Sequence, residues 1–417
     1  MSDATRLTVI GGSGASTPEL MDAIAAWPVG ADRRPPLDVV LQGRSPEKLA
    51  VVAEACRARL PRSVTDVRVT TDTSLDGALE GAAFVLVQAR VGGLDARIFD
   101  ETFPRAFGLP GEETMGPGGF ADALRTVPVM APLWERIAAV APQAFIINLT
   151  NPSGIVAQAA TAHTGLRVVS VCDAPVTFVD AIARALGRTP TDVRLAYAGM
   201  NHCGFWVDPS PDVMRSAIAA TSGIDAADVI AFGALPTAYV RFYAHPDRQL
   251  AAQLGASESR AQALKRLEAE MLGQYATGVD AAQQTRRGAV WYGASIVPLM
   301  DAVANGGTEP VVLGLPNAGA VGWAPDDAMV ELPTDVGRGG ILTRRPAIEL
   351  PDAAMRLLSR HATFETLTAR ALVGARTRDD LVERRPLLVE ALATDPMVTD
   401  ADLAGRLVDE ILVHSPA

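Results

Sequence analysis

Apolar runs and amphipathic stretches alternate along the N-terminal half of the chain. The apolar runs are RLTVIGG (6–12), LDVVLQGRS (37–45), FVLVQAR (84–90), QAFIINL (143–149) and RVVSVCDAP (167–175). The stretches between them, such as SPEKLAVVAEACRARL, carry apolar residues at helical spacing. Strands that alternate with helices predict an α/β fold with a doubly wound, Rossmann-like parallel sheet. Ligands of such a sheet bind at the carboxyl ends of its strands.

The C-terminal half has a different pattern. One more strand is predicted over VRLAYAGMNHCGFWV (193–207), and short apolar segments such as EPVVLGLP and MVELP follow later. Between and after these segments, helices are predicted over 258–275, 353–372 and 401–413. We therefore expect two domains, a dinucleotide-binding Rossmann-like domain at 1–195 and a mixed α+β domain at 196–417 for substrate binding and oligomerisation.

Three segments concentrate residues that suit function rather than regular structure. The stretch 94–120 is rich in charge and glycine and has little helical periodicity, which predicts a functional loop region. Its Arg97 is either an anion anchor or an ordinary solvated arginine. The segments 234–247 and 283–295 gather Tyr, Arg and Trp in a chain with only 5% aromatic residues, so they are either core or interface anchors or parts of a site.

Composition and charge argue against nucleic-acid binding and against a membrane protein. The chain has 417 residues, 48% hydrophobic residues and a net charge of −11, so it lacks the cationic surface that nucleic acid requires. No segment reaches eighteen uninterrupted apolar residues, and the N-terminus does not resemble a signal peptide. We therefore expect a cytoplasmic protein without a membrane partner. Its three cysteines, Cys56, Cys172 and Cys203, are expected to be reduced thiols.

The first predicted strand ends in a glycine-rich turn. Gly11, Gly12, Ser13 and Gly14 lead into a helix, which suits a dinucleotide pyrophosphate at the helix N-terminus, although the spacing is not a strict G-x-G-x-x-G. The alternative is a glycine turn of an ordinary βα unit. Arg44 and Ser45 stand where a ribose-binding acid is usual, so they either bind the 2′-phosphate of NADP or are merely solvated. Gln88 is expected at the same sheet edge, as a cofactor contact.

Cys172 and His202 lie in two predicted strands, toward their ends, and are candidate ligands of one divalent metal. Asp173 and Asn201 beside them are candidates for holding substrate hydroxyls or moving a proton. The alternatives are a packed cysteine and a hydrogen-bonded structural histidine. Cys203 would face away from His202 in a continuous strand, so we assign it to packing.

Together, several motifs resemble the nicotinamide- and metal-dependent glycosidases of glycoside hydrolase family 4. They are VIGGSGASTPEL, QARVGGLDARIFDE, GEETMGPGGF, NLTNPSGIV, VCDAP, GMNHCGFW, PTAYVRFY, TRRGAVWY and PNAGAVGWAPDDAMVELP. The resemblance covers nearly the whole chain and is closest to the 6-phospho-β-glucosidase branch. It implies NAD or NADP and manganese or another divalent metal as cofactors, and a homodimer or homotetramer that acts on a small glycoside.

The resemblance also implies roles for individual residues. Cys172 and His202 match the metal ligands, and Tyr239 matches the tyrosine that acts as a base. The positions that match substrate-binding residues, or that lie in the matching motifs as candidate substrate contacts, are Arg97, Glu113, Asn151, Arg241 and Arg287. Asp173 matches the position of a proposed acid in α-specific members, whereas the β-specific branch often has Asn there. The departures from the family pattern are Ser13 for Gly, Glu112 for Gln, Met115 for Thr, and Gly43-Arg44 for the ribose-binding acid.

The chemistry implied by the resemblance is elimination and addition driven by redox. NAD(P)⁺ takes hydride from C3 of the sugar, Tyr239 removes the C2 proton, and Asp173 or metal-bound water protonates the departing oxygen. Water then adds and the hydride returns. Two other classes remain: a plain NAD(P)-dependent sugar or 2-hydroxy-acid dehydrogenase on the same fold, and a nucleotide-sensing protein without catalysis.

Overall fold

The strands form one mixed sheet that runs through both halves of the chain. The computed structural model describes residues 4–27, 34–193, 195–221, 223–278, 288–307, 310–345 and 348–414. Its strands are β1 (Thr5–Ile10), β2 (Leu37–Gln42), β3 (Val67–Asp72), β4 (Ala82–Val87), β5 (Phe145–Asn148), β6 (Val168–Ser170), β7 (Ala196–Met200), β8 (Cys203–Val207), β9 (Leu235–Pro236), β10 (Val311–Pro316), β11 (Met329–Gly337) and β12 (Gly340–Arg344). They are ordered β3-β2-β1-β4-β5-β6-β10-β11-β7-β8-β9 in a 12-stranded sheet, and β12 pairs with β11.

Helices pack on both faces of this sheet. In the first half they are α1 (Thr17–Ala26), α2 (Pro46–Arg59), α3 (Leu75–Leu79), α4 (Gly93–Thr102), α5 (Gly116–Val140), α6 (Ser153–Thr164) and α7 (Ala174–Leu186). In the second half they are α8 (Pro211–Ala220), α9 (Ala226–Phe232), α10 (Arg241–Ala244), α11 (Pro246–Gly255), α12 (Arg260–Ala276), α13 (Val297–Asn305), α14 (Asp352–Leu372), α15 (Arg378–Glu383), α16 (Arg385–Ala393) and α17 (Ala401–His414). No described helix is long and apolar enough to cross a lipid bilayer.

The two faces of the sheet bury two separate cores. Side chains alternate along a strand, so Val85 and Val87 of β4 pack in a cluster with Phe120 of α5, whereas Leu86 packs on the other face with Leu20 of α1. A sheet that is buried on both faces needs apolar residues at consecutive positions. This requirement explains the continuous apolar runs of the N-terminal half.

Parallel pairing in the first half confirms the predicted α/β architecture. β1 lies between β2 and β4, and β5 and β6 continue the sheet in parallel. The strands of the second half pair antiparallel, and Gly314 of β10 lies opposite Ser170 of β6. The sheet therefore continues across the two halves, and the predicted domain boundary between 195 and 196 stays a prediction.

The single strand predicted over 193–207 is wrong. The segment forms an antiparallel hairpin of β7 and β8, with Met200 paired to Cys203. His202, at its tip, has φ +63, a left-handed conformation that few residues other than glycine adopt. Both strands are buried, so their apolar residues merge into one run in which only Asn201 and His202 mark the turn.

The predicted loop over 94–120 is also largely wrong. The segment contains α4, a 3₁₀ turn at Phe103–Phe107 and the start of α5. Several of its charged residues are buried in ion pairs. Asp100, for example, is fully buried and contacts Arg125 of α5 at 2.5 Å. Because these buried positions carry charge instead of apolar side chains, the helical periodicity is hidden in the sequence.

Candidate functional site

The turn between β1 and α1 is built by two glycines. Gly11 has φ +82, and a Cβ there would lie 2.9 Å from the Ala89 backbone. A Cβ on Gly12 would lie 2.8 Å from Leu41. Both glycines donate their N–H groups to the Gln42 carbonyl, at 3.1 and 2.8 Å. The turn therefore lies against the carboxyl ends of β2 and β4, where dinucleotides bind in open α/β sheets.

The other predicted cofactor contacts surround this turn. The Ser13 hydroxyl lies 3.4 Å from the position that a Cβ would take on Gly43, and Gly14 closes the turn through its N–H. Arg44 follows β2 and is exposed. The hydroxyl of Ser45 accepts a hydrogen bond from the backbone of α2 at 3.2 Å, so Ser45 caps that helix.

Gln88 joins the glycine turn to the second half of the chain. Its Nε2 donates to the Thr17 hydroxyl at 3.1 Å, and its Oε1 accepts from the Tyr292 hydroxyl at 2.8 Å. Tyr292 begins a π-helical turn, Tyr292–Ile296, that packs against α1. Both ends of the Gln88 amide are thus held, and its orientation at the turn is fixed.

A buried carboxylate, Glu113, gathers predicted substrate-binding residues. Arg97 Nη1 lies 2.7 Å from its Oε1, and Arg90 Nη1 lies 2.5 Å from its Oε2. Asn151 donates to Oε1 at 3.5 Å. Burial opposes ionisation of this carboxyl, but Arg90 and Arg97 outweigh burial and lower its pKa to about 2. Arg97 also donates to Glu101 at 2.7 Å, so it is a largely buried, doubly paired arginine and not a solvated one.

Cys172 lies between β6 and α7, with its sulfur buried. The backbone N–H of Ala174 donates to Sγ at 3.4 Å, and the backbone of His202 also hydrogen-bonds to this group. Burial and the negative charges of Glu331 and Asp173 raise the pKa of the thiol well above its ordinary value. The metal-free protein therefore holds a neutral thiol here.

The His202 side chain is held by two contacts. Its Nδ1 lies 2.6 Å from the Thr114 hydroxyl, and its ring stacks on Tyr239 with centroids 4.1 Å apart and an interplanar angle of 9°. The His202 carbonyl accepts from the Thr237 hydroxyl at 2.7 Å, which secures the hairpin tip. Burial lowers the pKa of the imidazole to about 4, against the opposing charge of Glu113. His202 is thus a neutral, oriented ring at neutral pH.

Tyr239 and Asp173 complete this group. Burial raises the pKa of the Tyr239 phenol, and the ionisable groups around it raise it further; they are Glu112, Cys172, Glu113 and Asp173. Burial also raises the pKa of Asp173, which precedes α7. The predicted metal ligands, the predicted base and the predicted acid therefore lie in one electrostatically coupled cluster.

A second buried acid, Glu331 on β11, supports the hairpin from behind. It accepts hydrogen bonds from the Tyr197 hydroxyl at 3.0 Å and from Asn201 Nδ2 at 3.3 Å. Burial raises its pKa to about 7 although both hydrogen bonds lower it. The Asn201 amide is therefore committed to Glu331, next to the metal-ligand candidates.

The donor set of this cluster fits a divalent transition metal. Cys172 offers a sulfur and His202 an imidazole nitrogen, which are soft and borderline ligands. Acidic groups surround both, and a bound cation would offset their charge and favour the thiolate. With two protein ligands the coordination shell would stay open for substrate oxygens and water.

One predicted residue, Arg241, does not join the cluster. Arg241 begins α10, and its guanidinium lies over the Phe242 ring at 5.4 Å; a Cβ on Gly223 would lie 2.7 Å from its Nη1. No hydrogen bond or ion pair of the described residues links Arg241 to the cluster. Arg287 lies outside the described residues.

Among the described residues, one group of three candidate ligands lies within 4.8 Å: Asp225, Asp228 and His245. It contains neither Cys172 nor His202. His245 pairs with Asp228 at 2.6 Å, and Arg248 pairs with Asp225 at 2.5 Å. These side chains already have partners that hold the start of α9, so this group is best explained as structural.

Sequence reasoning missed three residues of the site. The sequence predicts no role for Thr114 or Glu331, and it shows Glu112 only as a departure from the family pattern. The signal for Glu331 was an acid inside an apolar strand, MVELP, which is unusual unless the acid is paired. Thr114 had no such signal, because its contact with His202 joins positions 88 residues apart.

Several known proteins of similar sequence and fold are named as phosphoglucosidases. A probable 6-phospho-beta-glucosidase of Bacillus subtilis (strain 168) is 27% identical over an alignment of 439 positions, which covers 99% of this chain and 96% of that protein. 6-phospho-alpha-glucosidase 1 of Lacticaseibacillus paracasei is 27% identical, with coverage of 97% and 96%. The 6-phospho-beta glucosidase from Thermotoga maritima, solved with manganese, NAD⁺ and glucose-6-phosphate, has a TM-score of 0.83, 25% identity and 98% coverage of both chains.

Two family descriptions cover most of the sequence. Residues 6–188 match "Family 4 glycosyl hydrolase", and residues 197–398 match "Family 4 glycosyl hydrolase C-terminal domain". Both matches lie in the expected order, and they agree with the fold and with the motifs that first indicated the family. The chain therefore belongs to family 4 of the glycosyl hydrolases.

Proposed function

We propose that this family 4 enzyme hydrolyses 6-phosphorylated glucosides, with NAD at the glycine turn and manganese between Cys172 and His202. The Thermotoga maritima relative was solved with NAD⁺, manganese and glucose-6-phosphate, which supports both expected cofactors. The observation that carries the proposal is the stacking of Tyr239 on His202 beside Cys172, within range of Asp173. A metal-dependent elimination needs these groups within reach of one sugar ring.

The glycine turn and its neighbours would bind the cofactor. Gly11 and Gly12 allow a close approach of the backbone, and the N-terminus of α1 suits a pyrophosphate. Gln88, fixed by its two hydrogen bonds, would border the site. Arg44 is exposed at the end of β2, where an acid would otherwise hold ribose hydroxyls, so we propose that NADP is accepted beside NAD.

The buried Glu113 cluster would hold the sugar. Arg97 and Asn151 reach Glu113 from different elements, so their polar atoms converge on one point. Glu113 is ionised at neutral pH because Arg90 and Arg97 lower its pKa to about 2, and it can accept hydrogen bonds from sugar hydroxyls. Bringing in an anionic phosphate would require Arg97 to exchange one of its two carboxylate partners.

Tyr239 and Asp173 would move the protons. When bound, NAD would accept hydride from C3 and the cation would polarise the neighbouring oxygens. The Tyr239 phenol, fixed by stacking on His202, would remove the C2 proton. Its raised pKa means that it serves as a base only when positive charge offsets the surrounding acids. Asp173, whose pKa is also raised, can hold a proton and deliver it to the departing glycosidic oxygen.

Two observations bear on whether the enzyme prefers α- or β-glucosides, and they favour different anomers. The sequence motifs resemble those of the 6-phospho-β-glucosidase branch, whereas an Asp at position 173 resembles the proposed acid of α-specific members. We propose the β-anomer as the main substrate, and an α-activity that depends on Asp173 as the second candidate. The Asp173→Asn variant tests this: a selective loss of turnover on α-substrates would assign the acid to α-cleavage.

The proposal is tested with nitrophenyl glucosides in α and β forms, with and without a 6-phosphate. Each is assayed with NAD⁺ or NADP⁺ and Mn²⁺ under reducing conditions. We expect nitrophenol release that requires Mn²⁺ and the 6-phosphate, with no net NADH, because the hydride returns to C3 in each turnover. The same sugar deuterated at C2 should show a primary isotope effect or exchange with solvent.

Other results would identify a different class. Net NADH formation without nitrophenol release would favour the dehydrogenase, and cofactor binding without any turnover would favour a nucleotide sensor. The family match already favours the glycosidase over both.

We further propose a homodimer or homotetramer in the cytoplasm. Exposed apolar side chains such as Ile230, Leu342 and Val413 offer surface for association. The three free cysteines, all buried, suit a reducing compartment. Light scattering coupled to size exclusion would test the assembly, and a monomer at micromolar concentration would contradict it.

A further inference from the structure

One carboxylate oxygen behind the metal-ligand candidates receives three hydrogen bonds. Glu112 Oε2 accepts from the backbone N–H of Thr114 at 2.6 Å and from that of Met115 at 3.0 Å. It also lies 2.5 Å from the Thr114 hydroxyl. Thr114 is buried, and its hydroxyl is in turn 2.6 Å from His202 Nδ1. A continuous chain of contacts thus runs from Glu112 through Thr114 to the ring of His202.

The donors in this chain fix the direction of each hydrogen bond. Backbone N–H groups only donate, so Glu112 Oε2 is an acceptor, and the Thr114 hydroxyl uses its single proton toward that oxygen. The threonine oxygen then offers a lone pair to His202. At 2.6 Å, Nδ1 must carry the proton that fills this contact. These directions favour the tautomer of His202 that carries its proton on Nδ1, with Nε2 unprotonated.

We propose that Glu112 and Thr114 are positioning residues that hold His202 as the Nδ1–H tautomer and leave Nε2 free to bind a divalent metal. The inference rests on the proposed role of His202 as a ligand. A histidine that binds metal through one nitrogen usually donates the other N–H to a fixed acceptor, which sets its tautomer and orientation. Here the stacking on Tyr239 fixes the plane of the ring and Thr114 fixes its protons.

A purely structural role for these contacts makes a different prediction. Two of the three bonds to Glu112 only stabilise the turn before α5, and they would persist without the Thr114 hydroxyl. Thr114→Val removes the hydroxyl at nearly constant volume, whereas Thr114→Ser keeps it. Thr126→Val is a matched control, because Thr126 is a second buried threonine whose hydroxyl donates to a carboxylate, that of Asp122 at 2.8 Å.

The first experiment reads the tautomer directly in the metal-free protein. The chain has five histidines, so ¹⁵N-histidine labelling and a His202→Ala spectrum identify the His202 ring nitrogens at pH 7.5. We expect protonated Nδ1 and unprotonated Nε2 in the wild type, Thr114→Ser and Thr126→Val. Thr114→Val and Glu112→Ala should lose this single state. Protonated Nε2 in the wild type, or an unchanged spectrum in Thr114→Val, would overturn the proposal.

The second experiment measures Mn²⁺ affinity by calorimetry without substrate. Loss of a partner that orients a metal-binding histidine typically weakens metal binding by about 10–100-fold, so we expect this loss in Thr114→Val and nearly wild-type affinity in Thr114→Ser and Thr126→Val. NAD binding, followed by fluorescence, should remain in all of them and shows that each variant is folded. If Thr114→Val keeps wild-type Mn²⁺ affinity while His202→Ala loses it, the positioning role of Thr114 is overturned. Wild-type affinity in His202→Ala would overturn the metal assignment itself.

Discussion

Replacing Glu113 by glutamine should destabilise the protein, by an amount that follows from its ion pairs. Arg90 and Arg97 lower the pKa of the buried Glu113 carboxyl from 4.5 to about 2. At 1.36 kcal/mol for each pH unit, this difference corresponds to about 3 kcal/mol in favour of the ionised, folded form. Because the folded pKa is the lower one, this stabilisation is complete above about pH 4.5 and disappears as the pH falls through 2.

The measurement is urea unfolding of the metal-free protein between pH 7 and pH 3. We expect Glu113→Gln to lower the free energy of unfolding by about 3 kcal/mol at pH 7, and by distinctly less at pH 3, where the wild-type carboxylate already loses part of its advantage. Asp76→Asn is the matched control, because Asp76 forms an exposed pair with Arg136 at 2.6 Å, and such pairs contribute at most about 1 kcal/mol. Equal losses in the two variants at pH 7 would refute the reasoning.

Three further changes test the site. Tyr239→Phe should lower kcat by about 10²–10⁴-fold and stop exchange of the C2 proton with solvent; continued exchange would remove Tyr239 from the role of base. Cys172→Ser should weaken Mn²⁺ binding at least about tenfold in calorimetry, and an unaltered affinity would show that the sulfur is not a ligand. Gly12→Ala should cost about 1–3 kcal/mol in thermal unfolding, because its Cβ would lie 2.8 Å from Leu41, whereas Gly14→Ala, with 3.5 Å to its nearest neighbour, should cost clearly less.

The sheet was predictable because strands that are buried on both faces need apolar residues at consecutive positions, and such runs are visible in the sequence. Five strands of the N-terminal half, all but β3, lie in apolar runs, and each run ends within a few residues of the end of its strand. The apolar signal is absent where buried positions carry charged side chains. In α4, Asp100 and Glu101 are buried and paired with arginines. The buried face of this helix therefore carries charged residues, and the sequence pattern predicts a loop there.

The residues that bear chemistry were predictable through motifs, and their supports were not. Cys172, His202 and Tyr239 lie in segments with a recognisable pattern, and the structure brings them together. The groups that orient them act over long separations: Glu331 reaches Asn201 across 130 residues, and no local spacing rule encodes such a contact. Arg241 also lies in a recognisable motif, but its guanidinium lies against Gly223, so its role in substrate binding stays a prediction.

The continuous sheet also means that one strand of the first half must wait during translation for its partner from the second half. Ser170 of β6 pairs with Gly314, which the ribosome adds 144 residues later. At about 5–20 residues per second, the rim of the nascent parallel sheet remains without its partner for roughly 7–30 s. An uncovered strand rim is a template for association with other chains. Slower translation or a shortage of chaperones during this interval should therefore lower the yield of folded protein well before it changes the properties of the folded enzyme.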